Sequence, residues 1–288
     1  MKKLILLALA ATALSAPAIA DNHKEMSKAE HDTMHKAHQS RLAGILADPS
    51  RVEDTKRDKY RNPAKTFDFF RLHPDHKIGE YAPGGEWISR IVGKYVNDKG
   101  KFTGLYFSTN AGFGTPEAHT RIKASAAKFG EDVDKVTGRP ATDYQGYTLD
   151  AIPEGEKGTF DRILVMRMLH NMSRWNIADT ELKRMRELLK EDGLIGIEQH
   201  RAKANAPYSY ADGNKGYLRE ADAIKLMELN GFELVAKGEM NANAKDTAGW
   251  PDGVWTLPPQ LALKDVDKAK YEAIGESDRM TLLFKKRT

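Results

Sequence analysis

Residues 77–92, KIGEYAPGGEWISRIV, place an acid at the end of a short apolar run, then a Pro-Gly-Gly turn, then a helical pattern. Glycines at such a turn let the backbone approach a ligand closely, and the free N–H groups at a helix start favour an anionic group. Glu80, Gly84 and Gly85 are the candidates there, although a turn with no ligand has the same composition. His170-Asn171 and His200-Arg201 each follow an apolar run. Histidine is the natural base near neutral pH; a histidine that hydrogen-bonds a neighbouring loop is the competing reading. Arg201 suits either an acidic small molecule or an internal acid. His31, His35 and His38 would share one face of a helix, a set compatible with copper or zinc. An exposed polar helix accounts for them better, and no metal is assigned. Trp250 and Trp255 could cap an aromatic-lined pocket or cover a sheet edge, and Asn241, Asn243 and Asp246 read as turn formers.

The elements that must position these groups alternate. Apolar runs at 77–81, 101–107, 162–168, 194–199, 232–238 and 280–286 predict strands. Between them, helical spacing begins at Glu86, at Thr115-Pro116 (closing at Gly130), at 179–190 and at 219–231. Asn62 and Pro63 open a further helix ahead of the first strand. Such alternation predicts one α/β domain over residues 51–288 with a mostly parallel sheet covered on both faces. The exception is residues 240–279, rich in Pro, Gly and Trp, which read as a lid-like insertion.

Residues 1–20 carry Lys2 and Lys3, an apolar run from Leu4 to Leu14 and the ending Ala18-Ile19-Ala20. This is the pattern of a secretory signal cleaved before Asp21, and it predicts a periplasmic protein with no membrane insertion after cleavage. Residues 21–50 form a polar, His-rich arm. Losing Lys2 and Lys3 takes the 45 basic residues to 43, against 41 acidic ones. That balance gives no electrostatic case for nucleic acid. The chain has no cysteine, which excludes disulfides, thiolate metal sites and a Cys nucleophile.

Several of these stretches, in this order, resemble the class I S-adenosylmethionine-dependent methyltransferases. Glu80 and Gly84 match the acid and middle glycine of the first motif, Asp150-Ala151 the third, FDRILVMRMLHNM the fourth and LLKEDGLIGIEQH the fifth. RDKYRNP, PGG, LHN, HRA, NANAKDT and GVWTLPP are further similar to an exported bacterial group of that superfamily. The resemblance implies a three-layer sandwich with a seven-stranded sheet, S-adenosylmethionine as cofactor and a small-molecule methyl acceptor. It implies that Glu80 and the backbone of Tyr81, Gly84 and Gly85 face the cofactor's amino-acid portion. Asp150 and the Ala151 N–H would face the adenine, and Ser108, Thr109 or Asn110 would replace the usual ribose-binding acid. His170, Asn171, His200 and Arg201 would face the acceptor. The missing outer glycines, with Ala82 and Glu86 in their places, also suit an alternative: a non-catalytic periplasmic small-molecule-binding protein that retains the fold.

Overall fold

The computed structural model describes residues 28–84 and 87–287, so the signal-like segment and the turn residues Gly85 and Glu86 lie outside the described residues. The chain divides into two compact units at residues 36 and 37. Helix α1, Lys28–Leu46, begins in the first; its residues 29, 30, 32, 33, 35 and 36 are exposed. In the second unit, α2 (Val52–Arg61) and α3 (Pro63–Phe69) precede β1 (Lys77–Tyr81), α4 (Trp87–Tyr95), β2 (Lys101–Tyr106), α5 (Pro116–Thr137) and β3 (Tyr144–Thr148). There follow β4 (Phe160–Met166), α6 (Leu169–Arg174), α7 (Ala178–Leu188), β5 (Leu189–Ala202), α8 (Tyr208–Ala211) and β6 (Leu218–Arg219). The chain ends through α9 (Glu220–Leu229), β7 (Phe232–Gly238), α10 (Lys268–Ile274) and β8 (Arg279–Lys286).

The main sheet runs β3-β2-β1-β4-β5-β8-β7, with the two-residue β6 paired to β5 off that path. Pairings from β3 to β5 are parallel, and β8 lies antiparallel between β5 and β7. Side chains alternate between two cores, as period 2 requires. Ile163, Val165, Ile195, Ile197 and Leu282 enter one core with α6, α7 and α9. Ile78, Leu164, Leu194 and Leu283 enter the other with α3, α4 and α5. Strands buried on both faces give three layers.

Two local readings change. Helix α5 runs through Gly130 to Thr137 instead of closing there. A Cβ at Gly130 would meet the Ala141 carbonyl at 2.5 Å, so the glycine serves close packing. Phe129 and Val133 are buried on either side of it, which outweighs the roughly 1 kcal/mol a helical glycine costs. Residues 240–279 are not a loose lid. Asn241 donates to Thr66 and Thr281, Asn243 to the Ile274 and Glu276 carbonyls, and Asp246 accepts from Tyr217, Trp250 and the Asp278 N–H. These three residues are anchors more than turn formers: Asn241 and Asp246 are fully buried.

Candidate functional site

Because the sheet order reverses between β1 and β4, a crevice opens beyond the carboxyl ends of those strands. A cavity of about 620 Å³ occupies it. From β1 come Glu80 and the turn Ala82, Pro83 and Gly84; from the β4 end Met166, Arg167 and Met168; from α6 His170, Asn171 and Arg174. The α2 arginines Arg57 and Arg61, His200 from β5, and Ser277 and Arg279 from the β8 approach complete one side. Val254, Trp255 and Leu257 to Gln260 of the 240–279 segment form the facing wall.

Both strand ends are bent into unusual backbone. Ala82 has φ +49° and Arg167 φ +58°, a region that favours glycine. Non-glycine residues held there store about 1–3 kcal/mol and concentrate at functional turns. Ala82 therefore holds, at the turn after β1, a backbone conformation that glycine adopts more readily.

Glu80 is 4% exposed and accepts from Ser89 Oγ at 2.6 Å. Burial pushes its carboxyl up to about 7, against the pull of Ser89 and Arg167. Burial lowers His170 to about 4, with Arg174 and Arg167 adding to the effect and Gln199 opposing it. His200 lies well below the ordinary range for the same first reason, reinforced by His170 and Arg279. Both rings, 5.8 Å apart, are therefore neutral at neutral pH. Gln199 Nε2 donates to the Gly216 carbonyl at 2.7 Å, which turns Oε1 toward His170 Nδ1 at 3.3 Å. An acceptor there requires Nδ1 to carry the proton, leaving Nε2 as the basic nitrogen.

Under the cavity lies a chain of buried ion pairs. Glu276 accepts from Arg61 at 2.8 Å and Arg279 at 2.6 Å, and Glu198 lies 3.0 Å from Arg279 and 3.1 Å from Arg167. Arg174 stacks over Trp175 and Trp255, with its Nε buried and without a hydrogen-bond partner. The lining holds five arginines against two glutamates.

The predicted residues separate into two groups. Glu80, Gly84, His170, Asn171 and His200 meet around the cavity. Tyr81, Ser108, Asn110, Asp150 and Ala151 do not line it. Tyr81 OH donates to Glu181 of α7 at 2.8 Å, and the Ser108 N–H donates to the same carboxylate at 3.2 Å. Arg184 binds both Ser108 Oγ and Asn110 Oδ1. The Ala151 N–H, expected on a ring nitrogen, is already donated to the Thr148 carbonyl at 2.9 Å. Asp150 accepts from Thr109 at 2.9 Å through Oδ2, while its Oδ1 is buried with no partner. Phe107, Phe113 and Trp175 pack together nearby, Phe113 stacked on Trp175 at 5.2 Å.

Of the two readings for Arg201, the pairing with an acid of the protein is the one observed. Its guanidinium is held by Asp278, Glu220 and Glu239, so it pairs with internal acids and does not line the cavity. Trp250 is likewise turned to Asp246 and Tyr271, and of the two it is Trp255 that lines the cavity. Sequence reasoning missed Arg167, Arg174, Arg279 and Glu181. Arg57 and Arg61 sit inside RDKYRNP, a signal that was present but assigned no role.

No protein-family model and no curated protein matches the chain. Solved structures similar to it include an S-adenosylmethionine-dependent methyltransferase from Aquifex aeolicus, 16% identical with a TM-score of 0.44, covering 70% of this chain and 92% of that one. Another is the cyclase SpnF, 15% identical with a TM-score of 0.48, covering 87% and 96%. A third is a TehB-like S-adenosylmethionine-dependent methyltransferase from Corynebacterium glutamicum, 13% identical with a TM-score of 0.42, covering 83% and 100%. In the main sheet six strands run parallel, the order reverses between β1 and β4, and β8 alone is antiparallel. The fold is a Rossmann-like α/β sandwich, a mostly parallel sheet covered by helices on both faces. Among the described residues, no helix is long and apolar enough to cross a membrane.

Proposed function

We propose that this protein transfers a methyl group from S-adenosylmethionine to an anionic small molecule. The observation that carries the reading is the cavity at the β1–β4 reversal, where a buried acid, a glycine turn and a neutral histidine face a lining rich in arginine. The fit of the chain to the cofactor is divided. Glu80 and the backbone around Gly84 suit its amino-acid portion, and the unpartnered Asp150 Oδ1 suits an amine donor. The Ala151, Ser108 and Asn110 groups are engaged within the protein and would have to be released.

When bound, S-adenosylmethionine supplies an activated methyl on a sulfonium centre. The chain's share is alignment, exclusion of water and proton removal. Arg57 and Arg174 hold the acceptor's negative charge. His170 Nε2 takes its proton, with Gln199 fixing the tautomer. Trp255 and the 257–260 turn close the water side. Residues 1–20 support export, which would put this chemistry in the periplasm; the motifs shared with an exported group agree.

Calorimetry with S-adenosylmethionine and its demethylated product tests the reading. A Cβ at Gly84 has only ordinary contact, 3.6 Å from the Ala82 carbonyl, so Gly84→Asp disturbs the ligand and not the fold. Binding by the parent chain that is lost in Gly84→Asp supports methyl transfer; absence of binding at millimolar cofactor refutes it. Given turnover, His170→Ala lowers kcat by roughly 10²-fold or more. The engaged groups at the β2 and β3 ends favour a second reading, a non-catalytic binder that retains the fold. Cofactor-independent binding of an anionic small molecule would select it.

A further inference from the structure

At the opposite end of β1 lies a cluster of ligand-type side chains that the cavity does not use. Residues 72–77, between α3 and β1, read Leu-His-Pro-Asp-His-Lys. One ligand atom each from His73, Asp75 and His76 lie within 4.8 Å of one another. A further imidazole arrives from a distant part of the chain: the His38 ring centroid is 4.8 Å from that of His73. His38, one of the arm histidines, thus meets other donors, and those donors were not among the predicted set.

The backbone beneath the cluster is fixed from both sides. The His76 N–H donates to the His73 carbonyl at 3.2 Å, closing a turn. The Asn97 N–H donates to the Pro74 carbonyl at 2.8 Å, and the Lys101 N–H to the His76 carbonyl at 3.1 Å. Gly100 lies so close that a Cβ there would meet the Pro74 carbonyl at 2.2 Å. The turn is therefore preorganised, and only side-chain torsions remain to adjust.

Three imidazoles and one carboxylate are the donor set of a borderline divalent ion such as zinc, which takes four ligands of this kind. Calcium and magnesium require mostly oxygen donors. We propose that His38, His73, Asp75 and His76 bind one zinc-class divalent ion, which ties α1 to the turn that feeds β1. An imidazole binds a metal in its own ring plane, so the His73 and His76 rings, now parallel at 4.6 Å, splay apart on binding. The site lies at the other end of β1 from the cavity and stands or falls separately from the proposed methyl transfer.

Titration of the metal-free full chain with Zn²⁺ against a chromogenic competitor tests the proposal. One tight equivalent is expected, with a rise in Tm, and Co²⁺ should develop the visible bands of a four-coordinate site. His73→Ala and His76→Ala each weaken zinc by about 100-fold, and His38→Ala and Asp75→Asn by about 10-fold. His31→Ala with His35→Ala leaves it unchanged. Absence of a stoichiometric site overturns the proposal, as does zinc binding that survives in the His73→Ala, His76→Ala double variant. Should a His73 or His76 variant fail to fold by circular dichroism, the His38 and Asp75 variants decide alone: affinity equal to the parent chain overturns the proposal.

Discussion

The carboxyl edge of the sheet behaves as two regions. Around β1, β4 and β5 the strand ends are bent, the side chains are charged, and a cavity opens over a chain of buried ion pairs. Around β2 and β3 the polar positions are taken: Arg184 and Glu181 of α7 engage them, Phe113 stacks on Trp175 beside them, and Tyr106 and Phe107 face the cavity. On the proposed reading one nucleoside cofactor would span both regions, so its two halves would meet different conditions. The first half is preorganised; the second must rearrange before it can hold anything.

Several substitutions would break or sharpen that contrast. The largest effect belongs to Glu276→Ala, which leaves Arg61 and Arg279 buried without their shared carboxylate. It should cost about 3–5 kcal/mol in urea unfolding, because an unpaired buried charge is penalised more than a pair is rewarded. A loss below about 1 kcal/mol would mean that the floor of the open half is wet.

Next comes the pH dependence of Glu80. Its folded carboxyl titrates at about 7, raised by burial from the usual 4.5, so the folded chain keeps a proton that the unfolded chain has released. The stability this represents is complete below about 4.5 and is lost as pH rises through about 7. Relative to Glu80→Gln, the parent chain should lose on the order of 3 kcal/mol between pH 4.5 and pH 8, read from paired urea unfolding curves. A constant difference would place the carboxyl in contact with water.

Phe113→Ala tests the β2 and β3 half. Stability should fall by about 1–2 kcal/mol for a partly buried stacked ring, while affinity for S-adenosylhomocysteine rises. Reduced affinity would instead make the aromatic group part of the ligand site. The smallest effect is expected of Arg184→Met, about 0.5 kcal/mol, since its bonds to Ser108 and Asn110 lie partly in solvent. Any gain in nucleoside affinity there would show that Arg184 competes for the same groups.

Legibility followed distance along the chain. Glu80 and the Pro-Gly-Gly turn stand within a few residues of one another, and His170 directly follows its strand, so composition and order exposed them. The arginines that give the cavity its charge come from α2, the β4 end, α6 and β8, with no shared spacing to reveal them. Arg201 shows the same limit from the other side: its position after the apolar run 194–199 suggested a ligand, but Asp278 and Glu220 arrive from elements that no local pattern brings near it. Gly130 misled for a related reason, because its role depends on Ala141 packing against the helix.

Residue order alone determined the alternation of strands and helices, the absence of thiol chemistry and the acid-and-glycine turn after β1. Each depends on periodicity, composition or near neighbours, which are properties of a short stretch. Tertiary structure alone decided which half of the edge stays open, which carboxylates neutralise which arginines, and that His38 meets His73. Those outcomes depend on burial and on which distant groups the sheet topology brings into contact, and desolvation has no value until the fold exists.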